Sequence, residues 1–311
     1  MNNQDLAFVF PGQASQYVGM AADFIENFEL ARDYFKRAND IMEMDLQQVC
    51  LHGPEEELKK TFITQPAIFV HSVIAATLLE EHGIQPVAVA GHSLGEYSAL
   101  VAAGVLDFES GLKLVKQRSR LMFEAGQKRP GSMGAVIGLE RDVVLGICES
   151  LKDEGIIQPA NFNSPGQIAL SGEKEVLLKA LQLAREKGAR KAVELVVSGA
   201  FHSPLMQAAE EGLAQALQQT EFADSAIPFY SNVTTESNTS GEAIKELLLH
   251  QLTKPVRWEG IIKNMAADGF VHMVEVGPGK VLKGLIKRID RSVTCELCGT
   301  VDQYKAVTGE S

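Results

Sequence analysis

Cysteine is scarce in this chain. Its 311 residues include four, too few for a disulfide scaffold of this size, and only Cys295 and Cys298 stand at Cys-x-x-Cys spacing while Cys50 and Cys148 are isolated. A zinc site would need a second pair of ligands, and no two histidines have ligand spacing. No metal or redox centre is therefore expected, and the thiols read as buried bystanders. Long apolar runs are missing too: none looks long enough to span a bilayer, and Met1-Asn2-Asn3-Gln4-Asp5 lacks the basic-then-apolar pattern of a leader. A cytoplasmic location without a membrane partner is the default expectation. Positive charge is short, with 29 Lys and Arg against 40 Asp and Glu for a formal net charge of −11. That balance argues against broad nucleic-acid binding, because a phosphate backbone would be repelled. An anionic partner would have to meet a local patch, either Lys187, Arg190 and Lys191 or Lys280, Lys283, Lys287 and Arg288, although solvated helix faces are the plainer reading of each. No segment suggests a symmetric interface, so a monomer is expected.

What is present is an ordinary globular composition, 45% hydrophobic and 22% charged, at a length that fits one large domain with an insertion or two unequal lobes. Leu6-Ala7-Phe8-Val9-Phe10 reads as a short buried strand stopped by Pro11-Gly12-Gln13. Helical periodicity follows from about Ala22 to Leu51 and from Gln65 to Glu81, then a strand at Val87. Alternating strands and helices imply an α/β fold with a largely parallel sheet. From Gly131 the pattern becomes strand (Met133–Leu139), helix (Arg141–Lys152), two strands around Asn161–Gly166, helix (Lys174–Lys187) and strand (Ala192–Val197). This β-α-β-β-α-β order is the ferredoxin-like arrangement. We therefore expect a large α/β-hydrolase-like subdomain at 1–130 and 198–311 and a small inserted ferredoxin-like subdomain at 131–197. The larger fold resumes with a strand at Ile227–Asn232, a helical stretch to Gln251 and a strand at Val271–Val276 that ends at Gly277-Pro278-Gly279. The tail after Val301 is polar and reads as loosely held.

The chemistry centres on Val87-Ala88-Val89-Ala90-Gly91-His92-Ser93-Leu94-Gly95-Glu96. An apolar strand breaks at a glycine and presents a serine ahead of a helix-forming run through Tyr97, Leu100, Val101 and Val105, the pattern of a nucleophile elbow. The helix N-terminus would steady negative charge developing in acyl transfer. A serine hydroxyl needs a base, and of seven histidines His202 is the candidate, because it sits in a small-residue break after Val196-Val197-Ser198-Gly199-Ala200-Phe201 and before Ser203-Pro204. The alternative for His202 is a loop residue capping the next helix. His92 adjoins the serine but should leave the turn in another direction and support the elbow or the substrate. Arg118 falls inside the apolar stripe formed by Leu114, Val115, Leu121 and Met122. An unpaired buried charge costs about 3–5 kcal/mol, so Arg118 must face either an internal carboxylate or a substrate carboxylate, which its planar fork fits.

Taken together, Phe8-Val9-Phe10-Pro11-Gly12-Gln13-Ala14-Ser15-Gln16, Gln65-Pro66-Ala67, Gly91 to Glu96, Asn161 to Gln167, Gly199-Ala200-Phe201-His202-Ser203 and Glu275 to Lys280 resemble the malonyl-CoA:acyl carrier protein transacylases of fatty acid synthesis and the related polyketide synthase acyltransferase domains. The resemblance covers nearly the whole chain. It implies that Ser93 is acylated from malonyl-CoA, that His202 acts as base and then acid, and that Arg118 binds the malonyl carboxylate. It further implies an oxyanion hole from the Gln13 and Leu94 amides, Gln251 orienting His202, Asn161 lining the pocket, and a phosphopantetheine thiol on a holo acyl carrier protein as acceptor. No cofactor of the enzyme's own is implied. The family's first loop usually reads Gly-Gln-Gly, and here Ala14 replaces the second glycine without touching the Gln13 amide. The Gly-Ala-Phe-His form, with Phe201 crowding a 2-methyl branch, resembles the malonyl-preferring pattern. The rival readings are a polyketide acyltransferase acting in trans, a serine acyl hydrolase, which an inward Arg118 disfavours, and a binding scaffold without activity.

Overall fold

The structure is a computed structural model that describes residues 5–310. Residues 1–4, most of the stretch read as lacking a leader, and Ser311 lie outside the described residues. Among the described residues the strands are β1 (Leu6–Phe10), β2 (Ala88–Gly91), β3 (Ser132–Ile137), β4 (Ile157–Ser164), β5 (Gln167–Gly172), β6 (Lys191–Glu194), β7 (Phe229–Tyr230), β8 (Ser237–Asn238), β9 (His272–Val276) and β10 (Thr294–Cys298). They form a six-stranded sheet of order β10-β9-β1-β2-β7-β8 and a four-stranded sheet of order β4-β5-β3-β6. The first is parallel except at its β7–β8 edge. The second is antiparallel throughout, and its order is that of a ferredoxin-like sheet, as the alternation of elements implied.

β1 is apolar throughout and buried at every residue after Leu6 because both of its faces are covered. Phe8 and Phe10 enter the main core, whereas Ala7 and Val9 enter a second core under Trp258 and Ile286. Burial on both faces is what a central parallel strand requires. The register pairs Phe10 with Gly91 and Val9 with Glu275. The loops after β1, β2 and β9 therefore leave the sheet side by side at its carboxyl edge, where open α/β sheets place their sites.

Several expectations need correcting. The periodicity from Ala22 to Leu51 is three helices, Ala22–Asn27, Glu29–Met42 and Leu46–His52, separated by an extended Phe28 and a left-handed Glu43. The next core helix starts at Thr61, not Gln65, and carries Pro66 inside it. That helix, Thr61–Glu81, is also long and apolar enough to cross a membrane, contrary to expectation, but 89% of its apolar window is buried inside the protein. The helix after the elbow ends at Ala102, short of Val105. Val196 and Val197 are not strand: β6 ends at Glu194, and Val196 is fully exposed. The expected strand at 227–232 shrinks to β7. The tail is not loose, because Val301–Thr308 is a helix that buries Tyr304 against Phe28. β10 was unforeseen, whereas the helix Val281–Ile289 carries Lys283, Lys287 and Arg288, the cluster whose plainer reading was a solvated helix face. Cys295 and Cys298, three apart on β10, face opposite sides of the sheet and lie in different cores, so they cannot chelate one ion together.

Candidate active site

The elbow is enforced by contact. A Cβ on Gly91 would sit 1.9 Å from the carbonyl carbon of Gly95, and one on Gly95 would sit 2.1 Å from the Phe10 oxygen. Only glycine at both positions lets the turn fold back against β1. Ser93 between them has φ 52°, a left-handed conformation that a non-glycine residue holds only when its surroundings insist. Here they do: the Ser93 amide donates to Asn232 Oδ1 at 2.7 Å, and Asn232 Nδ2 donates to the Gly91 oxygen at 2.6 Å.

His202 reaches Ser93 from 109 residues away, with Nε2 2.8 Å from Oγ. Its Nδ1 lies 2.8 Å from the backbone oxygen of Gln251, which can only accept. Nδ1 therefore carries the hydrogen, and Nε2 is left bare to accept from the serine. His202 is also left-handed, at φ 56°. Its own carbonyl accepts from Gln158 Nε2 at 2.7 Å, and the same amide nitrogen donates to the Thr253 oxygen at 3.2 Å. Burial, and then the neighbouring Arg118 charge, push the imidazole down to about 3, so it stays neutral and basic in function at ordinary pH.

Arg118 is fully buried on the helix Phe108–Lys128, with Leu114, Val115 and Met122 beside it. Its Nη1 donates to Gln65 Oε1 at 2.6 Å, and its Nη2 donates to Ser93 Oγ at 3.0 Å and to Gln251 Oε1 at 2.7 Å. The serine oxygen thus accepts from a guanidinium while its hydrogen points to the imidazole. Both contacts favour the alkoxide, because a hydrogen bond or charge that stabilises the ionised form lowers the cost of making it. Of the two sequence alternatives for Arg118, an internal carboxylate partner is not the one found: none of its hydrogen bonds among the described residues goes to a carboxylate.

Gln251 acts twice. Its carbonyl orients His202, while its side chain spans the site: Nε2 donates to the Ser93 oxygen at 2.8 Å and to Glu96 Oε2 at 2.5 Å. Glu96 is buried, and its other oxygen accepts from the Asn232 amide at 2.5 Å. Burial raises this carboxyl to about 8 against the pull of both N–H donors and of Arg118.

The remaining candidates are placed as follows. Gly12 packs on the His92 carbonyl, and Ala14 is left-handed at φ 84° with its amide bonded to Gln16 Oε1. Among the described residues neither the Gln13 nor the Leu94 amide donates to a protein acceptor. His92 turns away from the serine: Nε2 is 2.8 Å from Asn163 Oδ1, and its ring lies 5.7 Å from Trp258. Asn161 on β4 bridges to Val256 and forms no hydrogen bond with Ser93, His202 or Arg118. Phe201 is buried beside His202 in the main core. Sequence reasoning missed the roles of Asn232, Gln158 and Asn163. The signal was slight: a lone polar residue at the carboxyl end of a parallel strand for Asn232, and amides in the Asn-Phe-Asn strand region for the others.

The sequence profile of the acyl transferase domain matches residues 7–306. The malonyl CoA-acyl carrier protein transacylase of Haemophilus influenzae is 41% identical, with 97% of each chain covered. That of Bacillus subtilis is 41% identical, over 92% of this chain and 90% of the relative. Among solved structures, the malonyl CoA-acyl carrier protein transacylase of Coxiella burnetii superposes with a TM-score of 0.94 at 38% identity, covering 98% of both chains. A malonyl-transacylase solved with its type II polyketide synthase acyl-carrier protein gives 0.95 at 39% identity, over 99% of this chain and 100% of that one. With a serine, a histidine and an arginine meeting at one elbow and the match running from β1 to the last helix, the chain belongs to the acyl transferase domain family.

Proposed function

We propose that this enzyme transfers the malonyl group from malonyl-CoA to the phosphopantetheine thiol of holo acyl carrier protein through a malonyl ester of Ser93, supplying fatty acid synthesis. The observation that carries the reading is the buried Arg118 guanidinium, 3.0 Å from the nucleophilic oxygen and bonded to no carboxylate among the described residues. A cation kept beside a nucleophile without an anion of its own fits a substrate that brings one. It also separates the reading from a plain esterase, whose acyl groups carry no charge.

In the first half-reaction Ser93 Oγ attacks the thioester carbonyl as His202 Nε2 takes its proton, and the Gln13 and Leu94 amides receive the developing oxyanion. Removing one such donor typically lowers the rate about 10²- to 10³-fold. The intermediate collapses by breaking the C–S bond, and His202 returns the proton to the CoA thiolate. The carrier's thiol then attacks the serine ester by the same route in reverse. Thioester to ester to thioester is redox-neutral and moves one proton each way, so the reading calls for no cofactor. His92 supports the elbow through Asn163, Asn161 lines the pocket, and Phe201 disfavours a 2-methyl branch.

The acidic carrier docks on Lys280, Lys283, Lys287 and Arg288 in preference to Lys187, Arg190 and Lys191. Support comes from Gly279, which stands against Ser15 of the Gln13 loop and so starts the first cluster at the site's mouth. The protein works as a cytoplasmic monomer without nucleic acid or membrane. Intact mass after brief exposure to malonyl-CoA tests the reading: a malonyl adduct on wild type but not on Ser93→Ala, chased onto holo carrier, supports it. An adduct lost only to water points to a hydrolase, and no adduct sinks the Ser93 mechanism.

A further inference from the structure

Arg118 and Glu96 are both fully buried at the elbow, yet they are joined only through a neutral group. The Gln251 amide stands between them, its Oε1 accepting from Arg118 Nη2 at 2.7 Å and its Nε2 donating to Glu96 Oε2 at 2.5 Å. A primary amide has nearly the same shape either way round, so its partners alone decide which end faces the cation. Two acceptors, Glu96 Oε2 and the Ser93 carbonyl, hold the nitrogen end. The second Glu96 oxygen is pinned by the Asn232 amide, so the carboxyl cannot swing away from Gln251. A direct Glu96–Arg118 contact would close the guanidinium off; one interposed amide keeps the carboxyl near while leaving the guanidinium open.

We propose that Glu96 is a positioning residue for acyl-group selectivity: it orients the Gln251 amide so that Arg118 is anchored beside Ser93 but remains available to a carboxylate on the incoming acyl group. This rests on the reading of Arg118 given under the proposed function. Glutamine at position 96 would offer one oxygen and one NH2 group to two N–H donors. The Asn232 amide is fixed in the backbone, so the conflict falls on Gln251, whose amide either loses its nitrogen partner or flips its nitrogen toward Arg118. In both cases Arg118 loses its anchor.

The experiment compares Ser93 acylation by malonyl-CoA and by acetyl-CoA, followed by intact mass, for wild type, Glu96→Gln, Gln251→Met, the double variant and Arg118→Ala. Losing a hydrogen bond to a charged group corresponds to about tenfold or more, so Glu96→Gln should lower the malonyl-to-acetyl ratio by that factor, with KM for malonyl-CoA rising more than kcat falls. Gln251→Met should lower the ratio similarly, and adding Glu96→Gln to it should change the ratio no further. Equal losses on both acyl groups would mean that Glu96 merely supports the fold and would overturn the inference. So would a full extra loss in the double variant. If Arg118→Ala shifts the ratio and Glu96→Gln does not, the inference alone fails. If Arg118→Ala leaves the ratio unchanged, the reading of Arg118 fails and takes the inference with it.

Discussion

Asn232 is where the elbow is most exposed to a single change. Its side chain is fully buried and makes two bonds, accepting from the Ser93 amide at 2.7 Å and donating to the Gly91 oxygen at 2.6 Å. Asn232→Ala leaves one N–H and one C=O buried without partners, each at a cost of about 1–3 kcal/mol, so a stability loss of about 2–6 kcal/mol is expected. The left-handed Ser93, a conformation that itself costs about 1–3 kcal/mol, then has nothing holding it, and a shift of the nucleophile by ~1 Å from His202 lowers acylation about 10²-fold. Urea unfolding gives the first quantity and single-turnover acylation by malonyl-CoA the second. Asn232→Asp keeps an acceptor for the Ser93 amide but sets a carboxyl oxygen against the Gly91 carbonyl, and should fall between wild type and alanine on activity. If Asn232→Ala loses less than about 0.5 kcal/mol, the scatter of ordinary surface changes, and acylates at the wild-type rate, the clamp described here does not hold the elbow.

Three further outcomes can be checked directly. His202 must be neutral to accept the serine proton, and its imidazole is held at about 3, below the ordinary 6.5, first by burial and then by Arg118. Activity is therefore lost as pH falls through the lowered value, not through 6.5, so kcat/KM, which reports the free enzyme, should show its acid limb well under 6.5; a limb at 6.5 would contradict the burial argument. In Arg118→Ala the limb for acetyl transfer should move up. Ala14 holds φ 84° beside the Gln13 amide, so Ala14→Gly should relieve strain and stabilise the protein by about 1 kcal/mol in urea unfolding while leaving acylation intact; a destabilised variant would show that the methyl group packs better than the backbone suffers.

How much of this was legible depended on distance along the chain. The Ser93 elbow is local: strand, glycines, serine and helix occupy ten consecutive residues. Arg118 could be found because its neighbours at helical spacing are apolar. Gln251 was placed near His202, but its backbone carbonyl orients the imidazole while its side chain serves Arg118, and sequence does not say which atom of a residue will act. Asn232 was taken for the end of a strand because its bonds join segments 139 residues apart, as the Ser93 contact shows. On the fold, the Thr61–Glu81 helix is apolar on every side, so no stripe marked its start, and the final helix looked loose because Tyr304 is its one fully covered apolar anchor. The breaks at Phe28 and Glu43 involve residues that carry no strong turn preference, which left one long periodic run where three helices stand.

Gln158 sits on β4, in the antiparallel sheet, and yet it ties together the two carbonyls, those of His202 and Thr253, on either side of the imidazole's support. For anyone recombining members of this family, that bond sets a rule. An exchange of the antiparallel sheet cannot be judged on how well its edges are cut, because one of its side chains also holds the backbone of the base. Grafts that keep an amide at position 158 should retain both bonds, and grafts that place an aliphatic residue there should leave the His202 and Thr253 carbonyls without that donor.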